Sequence, residues 1–364
     1  MAVQDLFTPL TVRSLTMPNR FAMAPMTRQA SPDGVPGRDV AEYYRRRAAG
    51  EVGLIITEGV RLPDPAAGYP FSIPTIAGEE VLAGWRRVVD AVHHEGGTIA
   101  AQLWHQGVGR DDADGVVVLS PSGVDGNGNP KGRALETDEL PALAQQFAQA
   151  AATAREVGFD AIELHGAHGY LLDQFFWDKT NLRTDGYGGS LSERTRFPAE
   201  VVAAVRAAVG PDYPVILRFS QWKGTDYNAS IAADPIELQE LLGPLIDAGV
   251  DMFHPSTRRH YLPGFPDADP TMSLAGWTKK VTGVPVIAVG SVGLETQFRS
   301  EKPGQVIAPA DLDRLVEQFD AGEFDVVALG RALLADPGWV HRLRTGTIDG
   351  FAGYDPATAL AALA

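Results

Sequence analysis

Eight short apolar runs, mostly separated by stretches with helical periodicity, limit what this chain can fold into more than any other feature. They cover residues 20–26, 53–57, 98–103, 161–164, 213–220, 251–254, 285–289 and 325–329. Runs of this length suit buried strands. Between them, Val81, Leu82, Trp85, Val88, Val89 and Val92 recur at the spacing of an amphipathic helix. Residues 138–157 read as a helix with Pro141 in its first turn and Gly158 just past its end. Ser190-x-x-Glu193 is a capping box, and Pro198 inside the helix that follows predicts a kink or a second start. Asp234-Pro235-x-Glu237 opens another helix that ends at Gly249. Residues 309–321 read as a helix stopped by Gly322, and a last helix starts at Asp336-Pro337. Strands alternating with helices imply a parallel (β/α)8 barrel in a single domain spanning residues 1–364. Residues 6–20 read as short extended pieces, an N-terminal hairpin that plugs one end of the barrel. A doubly wound sheet fits less well, because no Gly-x-Gly-x-x-Gly joins a strand to a helix.

Composition narrows the function. An apolar content of 45% against 21% charged residues supports a substantial core, and the net charge of −15 argues against nucleic-acid binding. No apolar run approaches the length of a membrane span. The opening residues MAVQDLFTPL lack the basic and apolar regions of a signal peptide, so a cytoplasmic location is expected. The absence of cysteine excludes disulfides, cysteine-ligated zinc and cysteine-ligated iron–sulfur clusters.

The densest chemistry lies in residues 160–196, DAIELHGAHGYLLDQFFWDKTNLRTDGYGGSLSERTR. Side chains alternate along a strand, so Ala161, Glu163 and His165 point to one side, with His165 at the strand's exit. Gly166 and Gly169 let the chain turn and bring His168 and Tyr170 to the same place. Two hydrogen-bond donors beside one weak acid can hold a carbonyl oxygen and deliver a proton nearby. The histidine spacing also permits a metal, but the segment offers no third ligand and no metal is expected. Gly290-Ser291 and Gly330-Arg331 follow the seventh and eighth runs, where barrels commonly bind a phosphate, and arginine can pair with its oxygens bidentately. These polar residues all fall at C-terminal strand ends, the face on which barrel enzymes build their sites. The long loop 106–137, rich in Gly, Asp and Pro, is a candidate cover over that face.

HGAHGY, followed by Asn181-x-Arg183-x-Asp185-x-Tyr187-Gly188-Gly189-Ser190 and Arg194, resembles the signature of the Old Yellow Enzyme family of FMN-dependent ene-reductases. The resemblance runs from about residue 6 to about residue 344. It implies an FMN whose phosphate sits at Gly290, Ser291, Gly330 and Arg331. It also implies backbone contacts from Pro25 and Met26, and the Thr27 hydroxyl at the flavin O4 edge. By the same resemblance Gln102 meets the pyrimidine edge, Arg218 lies by N1 and O2, and Gly59 keeps space open beneath the ring. A fixed guanidinium there stabilises the anionic reduced flavin. A salt bridge from Arg218 to Glu163 is compatible with that role, and Glu58 suits either structure or cofactor. The implied reaction uses NADPH or NADH to reduce FMN, which passes hydride to the β-carbon of an α,β-unsaturated carbonyl or nitro compound. His165 and His168 would hold the substrate oxygen while Tyr170 protonates the α-carbon.

Several residues depart from the family pattern: Asp173, the Phe176-Trp177-Asp178-Lys179 stretch, the Phe219-Ser220-Gln221-Trp222-Lys223 cluster, and the C-terminal Phe351 and Tyr354. Thr27 stands where one branch of the family has cysteine. Loops 222–227 and 258–265 are the expected determinants of substrate and nicotinamide choice. The expected partners are small activated alkenes, with no nucleic acid or membrane, in a monomer or homodimer. Two alternatives remain at this point. One is a flavin-independent barrel lyase or isomerase acting on a phosphorylated substrate, which would be colourless. The other is a non-enzymatic flavin-binding protein, yellow but without substrate-dependent reoxidation.

Overall fold

The eight apolar runs pair as parallel strands in the computed structural model, which describes residues 3–68, 72–110, 114–297, 302, 304–361 and 363. The strands are β1 (Phe21–Met23), β2 (Leu54–Arg61), β3 (Thr98–Trp104), β4 (Ala161–His168), β5 (Val215–Lys223), β6 (Met252–Pro255), β7 (Ile287–Val289) and β8 (Val326–Leu329). Neighbours in sequence are neighbours in the sheet, and β8 pairs with β1. Parallel bridges Phe253–Val286 and Ser256–Val289 join β6 to the β7 side and close the ring.

Period-two alternation sorts the side chains. Ala22, Leu54, Ile56, Ala100, Ala161, Ile216, Met252, Ile287, Val326 and Ala328 point inward and pack as one cluster. Ile55, Ile99, Ile162, Leu164, Val215 and Leu217 point outward into the larger core beneath the helices. The inner cluster is completed by Val12, Leu15 and Met17 from an antiparallel hairpin, Leu10–Val12 with Leu15–Met17. Each such buried side chain contributes about 1.5–3 kcal/mol by leaving water. The hairpin therefore stoppers the N-terminal end, as the sequence implies.

Three strands outrun their expected ends. Strand β2 continues through Glu58 and Gly59, β4 through His165 to His168, and β5 through Trp222 to Lys223. Register shifts between Ile56 and Gly59 and between Gly166 and His168 explain the extension. A bulge keeps the ladder going while re-aiming the next side chains into the barrel mouth.

The helices need more correction. Pro198 neither breaks nor restarts its helix, which runs from Leu191 to Val209 with Phe197, Val201, Val202 and Val205 buried on one face. Tertiary packing outweighs the one missing amide there. The helix expected over 309–321 is only Asp313–Asp320, because Pro309 is taken into an antiparallel bridge with Leu294. The helix expected from Asp336-Pro337 begins only at Trp339 and runs to Arg344, and an unexpected short helix, Arg331–Ala335, precedes it. Helix Arg38–Ala49 was hidden by its many charged residues. One of them, Arg47, is fully buried and donates to the carbonyls of Tyr43 and Leu333. Helix Leu274–Thr282 was also missed.

Candidate active site

At the open end of the barrel a cavity of about 430 Å³ collects the strand-end residues. That volume suits a small-molecule or cofactor site. It is lined by all the residues expected at the site: Pro25, Met26, Thr27, Gly59, Gln102, His165, His168, Tyr170, Arg218, Gly290, Ser291, Gly330 and Arg331. Trp104, Trp222, Arg258, Tyr354 and Leu360 share the wall. Phe351 is instead buried in the core. No described residue of loop 106–137 lines the cavity, and residues 111–113 lie outside the described set. Arg110 and Asp114 of that loop border a second, smaller recess with Arg61, so the expectation of a cover does not hold for the described residues.

The β4 exit is built from opposed constraints. His168 is non-glycine with φ +66°, a left-handed conformation that the surrounding bonds impose. Its amide donates to Ser220 Oγ at 2.9 Å, and its carbonyl accepts from the Gly224 amide at 3.0 Å. The next amide, of Gly169, donates to Asp173 Oδ2 at 2.5 Å, and the Gly169 carbonyl accepts from Gln174 Nε2 at 2.6 Å. Asp173 also meets Lys223 Nζ at 2.6 Å, with both side chains fully buried. Thus two of the positions that depart from the family pattern form the scaffold under the histidine turn. The ring of His165 lies 5.2 Å from that of His168 and 4.9 Å from that of Tyr170. Tyr170 is steadied edge-on by Trp104 at 4.9 Å. Behind it stands Gly109, where a Cβ would come within 2.9 Å of the phenol ring. Burial, reinforced by the Arg218 guanidinium, holds both histidines well below the ordinary imidazole pKa. Each is therefore neutral, with one N–H to donate.

Below them lies a polar chain that spans three strands. Glu163 accepts from Gln102 Nε2 at 2.7 Å and pairs with His254 Nδ1 at 2.6 Å. The expected Glu163–Arg218 salt bridge is replaced by this His254 pairing. Arg218 instead donates Nη2 to Ser256 Oγ at 3.2 Å, and its buried Nε has no hydrogen-bond partner among the described residues. Arg218 lines the cavity, and its desolvated guanidinium places a positive charge against it. One N–H of Gln102 Nε2 goes to Glu163, which leaves its second N–H and the amide oxygen for a ligand.

At the β7 and β8 ends, Gly290 adopts φ +151°, and a Cβ there would lie 2.6 Å from both the His260 amide and Thr257 Oγ1. Glycine is required for that approach. Arg331 donates to Ser291 Oγ at 2.8 Å and to the carbonyls of Thr296 and Gln297, so its guanidinium ties this turn together. A Cβ on Gly330 would meet only Met26 Sδ, at 3.5 Å. Gly59 has a further reason besides the one expected. A Cβ there would strike the Trp104 ring at 2.5 Å, so Gly59 makes room for the tryptophan that braces Tyr170.

Glu58 serves the backbone. Its carboxylate accepts from the Arg28 and Gln29 amides at 2.9 and 3.2 Å, holding the turn after Thr27. Burial pushes this carboxyl up to about 7. A folded-state value above the unfolded one means stability fully present below the unfolded pKa and lost as pH rises through the folded pKa. The loss amounts to roughly 3 kcal/mol across that window. Glu58→Gln keeps an acceptor for the amides and should abolish this dependence. The Tm advantage of wild type over the variant is expected to shrink from about pH 5 to about pH 7.5. Parallel Tm curves would show that Glu58 does not titrate in the fold.

Sequence reasoning missed Glu163 as a brace for Gln102, and His254 and Ser256 altogether, and it named Lys223 only within a cluster that departs from the family pattern. The polar ends of β4, β5 and β6 were the available signal. The assembled features fit FMN: a buried arginine and a glutamine amide at one part of the cavity, and a glycine-lined turn with arginine at another. Comparison with known proteins agrees. Residues 5–349 match the family described as NADH:flavin oxidoreductase / NADH oxidase. The chain is 36% identical to 12-oxophytodienoate reductase 7 of Oryza sativa subsp. japonica, over 93% of this chain and 87% of that one. It superposes on morphinone reductase in complex with tetrahydroNAD with a TM-score of 0.80 at 34% identity, covering 98% of this chain and 93% of that one. The Old Yellow Enzyme homologue from Zymomonas mobilis gives 0.78 at 27% identity, covering 98% and 99%.

Proposed function

The chain belongs to the NADH:flavin oxidoreductase / NADH oxidase family, the Old Yellow Enzymes, and is an FMN-dependent oxidoreductase reduced by NADH or NADPH; from that premise we propose the roles of its residues in reducing activated alkenes. Gly290, Ser291, Gly330 and Arg331 hold the cofactor phosphate. Pro25, Met26, Thr27, Gly59, Gln102 and Arg218 border its ring. When bound, FMN supplies the hydride chemistry that links nicotinamide oxidation to alkene reduction.

The protein residues supply the rest. His165 and His168, neutral by burial, donate to the carbonyl or nitro oxygen of the alkene. Donors already fixed in place stabilise the negative charge that grows on that oxygen. Tyr170 gives its phenolic proton to the α-carbon; with an ordinary pKa of about 10 a phenol is a weak acid, sufficient for so basic a carbon. Arg218 supplies fixed positive charge on the ring side. Trp222 and Arg258 form part of the wall where substrates are told apart, with the Arg258 guanidinium 4.1 Å from the Tyr227 ring.

One observation carries this reading: two neutral histidines and a tyrosine converge, rings 4.9–5.2 Å apart, in the cavity that Arg218 also lines. A site that holds an enolate-like oxygen should also hold a phenolate over oxidised FMN. Adding a para-substituted phenol to the FMN-loaded protein is expected to produce a long-wavelength charge-transfer band. His165→Ala or His168→Ala should weaken it strongly. A band unchanged in the double variant would place the oxyanion site elsewhere.

A further inference from the structure

We propose that Ser256 fixes which nitrogen of His168 carries the proton, and thereby makes that ring a hydrogen-bond donor to substrate; the inference rests on the role of His168 given above. Ser256 follows β6 and is 2% exposed. Its hydroxyl oxygen lies 2.8 Å from His168 Nε2 and 3.2 Å from Arg218 Nη2. The guanidinium has only donors, so it occupies one lone pair of the hydroxyl. If His168 Nε2 also carried a proton, two donors would converge on the same oxygen. The serine proton would then have to find another acceptor. The arrangement that satisfies all three groups has Arg218 donating to Ser256 and Ser256 donating to His168 Nε2. Nδ1 is then the ring's N–H. Burial keeps the ring from taking a second proton near neutrality, so the choice of nitrogen is a choice between donating and accepting.

The rest of Ser256 limits motion of the same ring. Its carbonyl accepts from Trp222 Nε1 at 3.0 Å, and Trp222 stacks on His168 with centroids 4.4 Å apart and planes 27° apart. Its amide donates to the Phe219 carbonyl at 2.7 Å, and its bridge to Val289 helps close the barrel. One serine therefore joins a fixed positive charge, a tautomer and a stacking partner. It is a positioning residue, acting through His168.

The test is ¹⁵N NMR of the FMN-loaded protein labelled at histidine, with the His168 signal assigned by its loss in His168→Ala. Wild type is expected to show the proton on Nδ1. Ser256→Ala should move His168 to the other tautomer or to a mixture while FMN stays bound. The dissociation constant of para-chlorophenol should rise about three- to tenfold, the worth of one hydrogen bond of about 1 kcal/mol. A wild-type His168 protonated on Nε2 overturns the proposal without any variant. So does a ¹⁵N pattern unchanged by Ser256→Ala when phenol binding still depends on His168. If phenol binding survives His168→Ala, the oxyanion role of that histidine fails first, and this inference goes with it.

Discussion

Replacing Tyr170 with phenylalanine is expected to slow reduction of 2-cyclohexenone by the FMN-loaded enzyme about 10²–10⁴-fold, the usual worth of a positioned general acid. The ring itself should stay in place. It is held edge-on by Trp104 and His165, each 4.9 Å away, and neither contact uses the hydroxyl. Folding and FMN content should therefore match wild type. Reduction of the loaded enzyme by NADPH takes no proton from Tyr170 and should keep its rate. Reoxidation by a quinone or by oxygen needs no protonation at carbon and should also be nearly unchanged. Stopped-flow traces of the separate half-reactions can read all of these on one preparation. If cyclohexenone reoxidises the variant as fast as wild type, Tyr170 is only a wall and the proton comes from elsewhere.

The second large effect is on stability. Lys223 and Asp173 are an ion pair with no solvent exposure on either side chain. Burial pushes the Asp173 carboxyl up and the Lys223 ammonium down, and each is the main influence holding the other charged. Removing one charge strands the other in the core. Lys223→Met alone should therefore destabilise the fold by about 3–5 kcal/mol, whereas the double change Lys223→Met with Asp173→Leu should recover much of that loss. Urea unfolding of the three FMN-loaded proteins measures both quantities. A double variant no more stable than Lys223→Met alone would mean that the pair matters for its shape and not for its charge. The single variant should also loosen the turn at His168, because Asp173 holds the Gly169 amide.

The barrel was legible because each strand carries its own signal: a short apolar run, alternate residues facing the two cores, and a glycine or polar group at the exit. The residues that line the cavity were legible for the same reason, since strand ends in a barrel converge whatever the loops do. What joins them was not. His254 meets Glu163 across 91 residues, and Lys223 meets Asp173 across 50. Such pairings follow from strand register, here His254 beside Arg218 and His165 beside Arg218 on the two edges of β5. No local pattern encodes that register. The helix expected over 309–321, which forms only over Asp313–Asp320, shows the same limit. The Gly322 stop was readable, but the segment's first residues pair with the turn near Gly293 and Leu294 instead. Gly59 shows a third kind of blindness: the need for a missing Cβ was readable, and the neighbour that imposes it was not.

The hairpin at the bottom of the barrel sets the traffic at the top. With Val12, Leu15 and Met17 packed into the inner core, the barrel has no thoroughfare along its axis among the described residues, and both reactants must come and go through one doorway. On the roles proposed above, a nicotinamide and an alkene entering by that doorway would compete for one wall of histidines and tryptophans. Each visitor obstructs the other, so turnover becomes a matter of taking turns. The residues that line it, Trp222 and Arg258 among them, would then bear on how soon the first leaves as much as on how well the second fits.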